Sequence, residues 1–265
     1  MQLNNQAISG VLHQTKSATH YTLRRYFPSS ALACVIEQFW FVDWDLPRGV
    51  HHVQKNLPDP NFHLVFSPTN CELIGPVSKV YDYKMTGKSG LIGVKFTLGA
   101  LEGALPKPIE DFIDTSIPTP NLSLLDLQSL HQVLVKVQDD KVRVDTLEQT
   151  LSPLCNQSNQ QEVKLVNQLV ADIKNQTNIY SVADLAKHSD LSIRTLQRKF
   201  KKYVGLSPKF LIRKYRLHQA LALLDDETLG IQDLVLKLDY VDQAHLINDF
   251  KNILGTTPGR YTDGI

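Results

Sequence analysis

The chain has 265 residues, a formal net charge of +1 at pH 7, 42% hydrophobic residues and 21% charged residues. This length suits two domains, and the composition is typical of a globular protein and not of a collagen, a coiled coil or a disordered chain. No apolar run approaches the roughly 18–20 residues that span a bilayer, and no secretory signal is visible, so we expect a cytoplasmic protein without a membrane partner. The three widely spaced cysteines favour reduced thiols over a disulfide framework or a zinc site.

The first half of the chain has the sequence pattern of strands followed by helices. Short β-branched and aromatic runs bounded by proline and glycine predict strands at residues 37–44, 50–56, 61–67, 71–75, 80–85 and 91–97. Leucine spacing then predicts a short helix near Leu98 and longer helices at 122–137 and 142–154. The leucines of the helix at 122–137 could belong to the core or to a dimer seam. We therefore expect an α+β domain over residues 1–155, with a small β barrel or sandwich and helices.

Charge is distributed unevenly in the second half. Residues 187–216 contain ten basic side chains and one acidic one, whereas residues 225–250 contain seven acidic side chains and one lysine. A dense basic segment is typical of a phosphate-binding face, although a solvated helix face would give the same pattern. The polar residues 156–161 predict a linker before this region.

Residues 162–265 contain an internal repeat with an offset of 50. The matched pairs are Leu196 and Leu246, Phe200 and Phe250, Lys201 and Lys251, Gly205 and Gly255, and Pro208 and Pro258. Each copy reads as a helix, a tight turn, a second helix and then Gly-x-x-Pro. This pattern predicts an all-α domain with two helix-turn-helix units, at about residues 181–203 and 230–254.

Capping residues define the helices of the two units. In the first unit, Ser181 and Ser192 are placed to cap helices at 182–188 and 193–203, and Gly205 is placed to end the second in a left-handed conformation. A long helix is predicted at 208–224. In the second unit, Asp242 is placed to cap a helix at 243–253, after a helix at 231–237.

The side chains opposite the buried stripe of each second helix are the candidate DNA contacts. In the first unit Arg194, Gln197, Arg198 and Lys201 share one face, and arginine and glutamine are residues that read base edges. Further basic side chains are placed for phosphates; these are Lys199 and Lys202 on that helix, and Arg213, Lys214 and Arg216 on the long helix. The corresponding face of the second unit carries Ala244, Ile247, Asn248 and Lys251.

The spacing of these residues resembles that of the AraC/XylS transcription regulators over about residues 163–262. The matching positions are Ala186, Leu191, Ser192, Leu196, Arg198, Phe200, Lys201, Gly205, Ser207, Pro208, Phe250, Lys251, Gly255, Pro258 and Tyr261. The resemblance implies two recognition helices in successive major-groove segments about 34 Å apart. It also implies RNA polymerase as a partner.

The second unit departs from the pattern of many relatives, because Asn248, followed by Asp249, stands where an arginine is common and Ala244 replaces a longer polar side chain. We therefore hypothesise that the first unit supplies most of the affinity for DNA.

The N-terminal half resembles the sensor domains of some members of this family more loosely, at residues 25–28, 57–59 and 93–96. That resemblance implies sensing of a small-molecule effector or formation of a homodimer. Aromatic side chains on the strands are either core residues or ligand contacts; they are Phe39, Trp40, Phe41, Trp44, Phe62 and Phe66. His51 and His52 would point to opposite faces of a strand, so we predict no metal.

No catalytic motif or cofactor signature is visible, so we predict neither an enzyme nor a cofactor. The sequence predicts a regulator that binds specific double-stranded DNA and responds to a signal in its N-terminal domain. The alternative is a bifunctional protein with an enzymatic N-terminal domain fused to the DNA-binding domain.

Overall fold

The computed structural model describes residues 19–118, 122, 125–156, 159–175, 178–225 and 230–262. Its strands are β1 (Thr22–Tyr26), β2 (Ile36–Asp45), β3 (His51–Asn56), β4 (His63–Phe66), β5 (Cys71–Ile74), β6 (Tyr81–Thr86), β7 (Lys88–Phe96) and β8 (Ser116–Pro118). Its α-helices are α1 (Leu127–Lys136), α2 (Asp140–Leu151), α3 (Gln160–Asn175), α4 (Val182–Ser189), α5 (Ile193–Tyr203), α6 (Pro208–Asp225), α7 (Ile231–Lys237), α8 (Gln243–Leu254) and α9 (Pro258–Thr262). Short 3₁₀ helices occupy Ile109–Phe112 and Ser152–Asn156.

The N-terminal strands form two antiparallel sheets. Six strands pair in the order β1-β2-β7-β4-β5-β8, and β3 pairs with β6 in a separate two-stranded sheet. Within the described residues β1 and β8 remain edges of the larger sheet, so the strands do not close into a barrel. The predicted α+β class is confirmed, whereas the barrel alternative is wrong.

One face of the six-stranded sheet packs against α1 and α2. Side chains alternate across a strand, so Phe39 and Phe41 of β2 point to the same face, where both are buried in the main core. Leu130 and Leu134 of α1 are buried in the same core. The leucines of this helix are therefore core residues, which settles the alternative left open by the sequence.

The helix predicted near Leu98 is wrong, because that segment forms turns. The helix predicted at 122–137 begins at Leu127, where the Asp126 side chain accepts a hydrogen bond from the Ser129 amide at 2.9 Å. Residues 123 and 124 of that prediction lie outside the described residues. The sequence did not predict β1 and β8.

In the C-terminal half, α4 to α8 match the predicted helices to within one residue at each end. The linker is shorter than predicted, because α3 begins at Gln160; residues 157 and 158 lie outside the described part of the chain.

The two halves pack directly together. Leu98 is buried among residues of α3 and α5, and Leu57 is buried among residues of α6 to α8. The Asn167 side chain donates a hydrogen bond to the Leu98 carbonyl oxygen at 2.9 Å. Among the helices in the described ranges, none is both long and apolar enough to cross a membrane.

Candidate DNA-binding surface and N-terminal cavity

The first helix-turn-helix unit is held by local capping. Ser181 and Asp184 form a capping box at the start of α4, and α4 ends at Asp190 in the left-handed conformation, with φ of 53°. The Ser192 hydroxyl then accepts a hydrogen bond from the Thr195 amide at 3.1 Å and starts α5. Gly205, with φ of 80°, follows α5 as the sequence predicts.

Helix α5 has one buried stripe and one free polar face. Leu196 and Phe200 are fully buried, so the opposite face is turned outward. Arg194, Gln197 and Arg198 are exposed there and have no hydrogen bond or ion pair within the described residues. Their donors are therefore available to base edges and phosphate oxygens.

The lysines of α5 differ in their surroundings. Lys201 is exposed and lies 3.3 Å from Glu110, and Lys202 is exposed and lies 3.4 Å from Glu102, both acids of the N-terminal half. Lys199 instead forms an ion pair with Glu162 of α3 and is only 12% exposed. Lys199 is therefore not part of the exposed basic face of α5.

The basic side chains of α6 join the two units. Arg213 binds Asp249 of α8, with Nη2 at 2.6 Å and Nε at 2.8 Å from Oδ1, and that carboxylate is 2% exposed. Arg216 is buried, with its guanidinium 4.8 Å from the ring centroid of Tyr240. Lys214 is buried as well. The expectation that Lys214 and Arg216 reach the DNA backbone is wrong, because the helix turns both side chains into packed regions.

The second unit presents a less basic face. Asp242 caps α8 by accepting a hydrogen bond from the His245 amide at 2.7 Å. Ala244, Asn248 and Lys251 are exposed and Ile247 is half-buried, so this face offers one cation. Asp249 faces away from it, toward Arg213.

A cavity of about 220 Å³ lies between the outer face of the six-stranded sheet and the β3–β6 sheet. The Trp40 ring lies directly over Gly93, and a Cβ atom added to Gly93 would be only 1.9 Å from Trp40 Cε2. Trp40 Nε1 donates a hydrogen bond to His63 Nδ1 at 3.2 Å. Other polar side chains that line the cavity include Arg25, Glu37, Gln54, Asp59, Glu72 and Lys95.

The aromatic ligand candidates fall on different sides of the sheet. Trp40 lines the cavity, and Trp44 lies in a small cluster with Leu46 and Met85. The other four are buried in the core on the helix side of the domain; they are Phe39, Phe41, Phe62 and Phe66. The sequence did not predict the charged lining, because its members come from several strands and loops and no local pattern marks them.

An ion-pair network runs from the cavity toward the C-terminal half. Lys95 lies 3.0 Å from Asp59 and 3.1 Å from Glu37. Burial opposes the charge of Asp59, but Lys95 and His63 hold the pKa of this carboxyl well below its usual value. Burial lowers the pKa of Lys214 on α6 to about 8, against the opposing attraction of Asp59. Asp59 thus lines the cavity, binds Lys95 and also attracts Lys214, with which it forms no ion pair in the described residues.

Family comparisons divide the chain in the same way as the structure. A helix-turn-helix domain family matches residues 185–264. A domain of unknown function, DUF6597, matches residues 24–118.

Curated relatives match the C-terminal part. The transcriptional activator AarP of Providencia stuartii is 36% identical over 87 residues, which cover 33% of this chain and 64% of AarP. The F1 operon positive regulatory protein of Yersinia pestis is 35% identical over 98 residues, which cover 36% of this chain and 33% of that protein. The chain therefore covers less than two thirds of the length of these relatives.

Among solved structures, an apo form of ToxT from Vibrio cholerae aligns over 90% of this chain and 99% of its own, with 10% identity and a TM-score of 0.38.

The two capped helix pairs and the relatives define a DNA-binding domain of the helix-turn-helix class. More specifically, the C-terminal part of the chain is an AraC/XylS-type domain, as found in transcription regulators.

Proposed function

We propose that the whole chain is a sequence-specific transcription regulator whose first helix-turn-helix unit reads the major groove of double-stranded DNA. The observation that carries this proposal is that Arg194, Gln197 and Arg198 are exposed on one face of α5, with no hydrogen bond or ion pair to any residue that the structure describes. Arginine binds guanine through two hydrogen bonds and glutamine binds adenine in the same way, so this set supports base reading beyond phosphate binding. Lys201 and Lys202 are placed for phosphates.

The second unit has a weaker role in this proposal. Its face offers Ala244, Ile247, Asn248 and Lys251, and Arg213 of α6 is held by Asp249. Asn248 can pair with an adenine and Ile247 can contact a thymine methyl group. The first unit therefore supplies most of the affinity.

The N-terminal domain has a sensing role in this proposal and no catalytic one. Its cavity suits a small molecule, and Asp59 of the cavity wall binds Lys95 and attracts the buried Lys214 of α6. A ligand that rearranges these charges would alter how α6 holds the two units, and with that the engagement of DNA or RNA polymerase. We also propose that the protein forms a homodimer and acts in the cytoplasm, where the DNA lies.

The test is selection of binding sites from random duplex DNA with the full-length protein, followed by affinity measurements on the selected site. We expect a motif that spans two successive grooves. Arg198→Ala should weaken binding by at least about tenfold and relax the sequence preference at one position, because a bidentate arginine contact discriminates between bases by about 1–3 kcal/mol.

Lys164→Ala is the matched control, because Lys164 is an exposed lysine on α3 and loses the same charge. It should retain the motif. Asn248→Ala should weaken binding less than Arg198→Ala, and equal losses would contradict the ranking of the two units. If no motif emerged and Arg198→Ala bound as well as the parent, sequence-specific regulation through α5 would be wrong.

A further inference from the structure

The cavity in the N-terminal domain contains a cation without a partner. Arg25 of β1 lines the cavity, and its Nε atom is buried without a hydrogen-bond partner in the described residues. Glu37 attracts the guanidinium, but no carboxylate in the described part of the chain forms an ion pair with it. A buried donor without a partner is costly, so this guanidinium is a candidate for pairing with a ligand.

The other charged side chains that line the cavity already have partners. Glu37 and Asp59 both bind Lys95, at 3.1 and 3.0 Å. Glu72 accepts a hydrogen bond from the Ser116 hydroxyl. Arg25 is thus the lining cation that forms no ion pair within the described residues, and its guanidinium donors remain available to an acceptor on a ligand.

The surroundings of Arg25 are aromatic and aliphatic. Arg25, Trp40 and Gly93 are register neighbours on the adjacent strands β1, β2 and β7. The Trp40 ring covers Gly93 and contributes a flat apolar wall to the same cavity. The adjacent row consists of Leu23, Val42 and Leu91, which also line the cavity. The space therefore offers a charged end next to an apolar wall.

We propose that this cavity binds a small organic acid with one carboxylate, which pairs with Arg25 while its apolar body packs against Trp40 and the neighbouring aliphatic row. The carboxylate accepts two hydrogen bonds from the guanidinium, a geometry that both groups favour. The inference rests on the proposed sensing role of the N-terminal domain and adds the chemical class of the signal. A group with two negative charges, such as phosphate, is disfavoured because Glu37, Asp59 and Glu72 line the same cavity.

The test is isothermal titration of the full-length protein with benzoate, phenylacetate and hexanoate, with the corresponding amides, and with inorganic phosphate. We expect at least one acid to bind, and to bind at least about tenfold more tightly than its amide, because hydrogen bonds between charged groups are about twice as strong as neutral ones. Arg25→Met should remove this preference. The substitution should leave the thermal unfolding temperature unchanged or raise it, because it removes a buried donor without a partner.

Lys84→Met is the matched control, because Lys84 is an exposed lysine of β6 that does not line the cavity. It should bind the acids as the parent does. Equal binding of acids and amides, unchanged binding by Arg25→Met, tighter binding of phosphate than of every acid, or no binding of any acid at millimolar concentration would each overturn the proposal.

Affinity for the selected DNA site, measured with and without the acid, separates this inference from the proposed function. An acid that binds through Arg25 but leaves DNA affinity unchanged would support the site and contradict its sensing role. Selective DNA binding without any acid binding would overturn the site and leave the DNA-reading role intact.

Discussion

At the scale of single residues, the basic side chains of the C-terminal half divide into free and buried ones. Arg194 and Arg198 are exposed, whereas Lys214 is buried with its Nζ atom 4.1 Å from the ring centroid of Tyr215. Burial, together with repulsion from Lys95 and Lys174, lowers the pKa of Lys214 from 10.5 to about 8 although Asp59 attracts it. This lysine therefore destabilises the folded state while it is charged.

We expect Lys214→Met to raise the free energy of unfolding at pH 7 by about 1–3 kcal/mol, which is of the order that such a pKa difference represents. Between pH 8 and 10.5 the unfolded chain holds the Lys214 proton and the folded chain does not, so the contribution of Lys214 to stability rises with pH. The advantage of Lys214→Met should therefore shrink toward pH 10. Urea unfolding of the parent and of Lys214→Met at pH 7, 8.5 and 10 measures this difference in the free energy of unfolding.

Lys209→Met serves as the control, because Lys209 is an exposed lysine of the same helix. Its effect on unfolding should be small and independent of pH. An advantage of Lys214→Met that stayed constant from pH 7 to pH 10 would show that the charge of Lys214 is not the cause.

At the scale of elements, the two recognition helices end in the same way but in different surroundings. Gly205 after α5 and Gly255 after α8 have φ of 80° and 67°. A Cβ added to Gly205 would lie 2.9 Å from Cγ2 of Ile109, whereas a Cβ added to Gly255 meets nothing within 4 Å. The end of α5 is thus packed against the N-terminal domain and the end of α8 is open.

Gly255→Ala should reduce the free energy of unfolding by about 1 kcal/mol, since alanine is strained in the left-handed region. Gly205→Ala should reduce it by about 1 kcal/mol more, because it adds a steric overlap to the same strain. Chemical unfolding followed by circular dichroism compares the two. When both substitutions are made in an Ile109→Ala background, the difference between their free energies of unfolding should become smaller. If that difference stayed the same, the steric overlap with Ile109 would not be its origin.

At the scale of the whole molecule, the N-terminal domain places two acids beside the DNA-binding helix. Glu110 lies 3.3 Å from Lys201 and Glu102 lies 3.4 Å from Lys202. The lysines of these pairs are exposed and the acids are half-buried, so the pairs contribute little to stability. Their negative charges nevertheless oppose the approach of phosphates to the end of α5.

The double substitution Glu102→Gln and Glu110→Gln should therefore strengthen DNA binding of the full chain about threefold or more at low salt, and less at high salt. Fluorescence anisotropy with a labelled duplex at several salt concentrations measures this. Asp111→Asn is the control, because Asp111 is exposed on the same 3₁₀ helix and forms no ion pair within the described residues. Weaker binding by the double variant, or an equal gain with Asp111→Asn, would contradict the effect.

The sequence by itself determined the duplicated helix-turn-helix units. The caps Ser181, Ser192 and Asp242, the glycine after each recognition helix and the helical spacing of Leu196 and Phe200 are local signals, so helices α4 to α8 could be predicted to within one residue. The exposed set on α5 followed from the same periodicity. Local signals suffice there because hydrogen bonds within a helix join residues close in the chain.

The tertiary structure alone decided which charged residues are available. Lys199, Lys214 and Arg216 look equivalent to Arg198 in the sequence, but partners from other elements bury or bind them. The tertiary structure also decided which cysteines are neighbours, because the Sγ atoms of Cys34 and Cys155 lie 3.6 Å apart although the residues are 121 positions apart. The cavity around Arg25 likewise combines side chains from several strands. Burial and charge pairing depend on neighbours that are distant along the chain, and these become known only when the elements are packed.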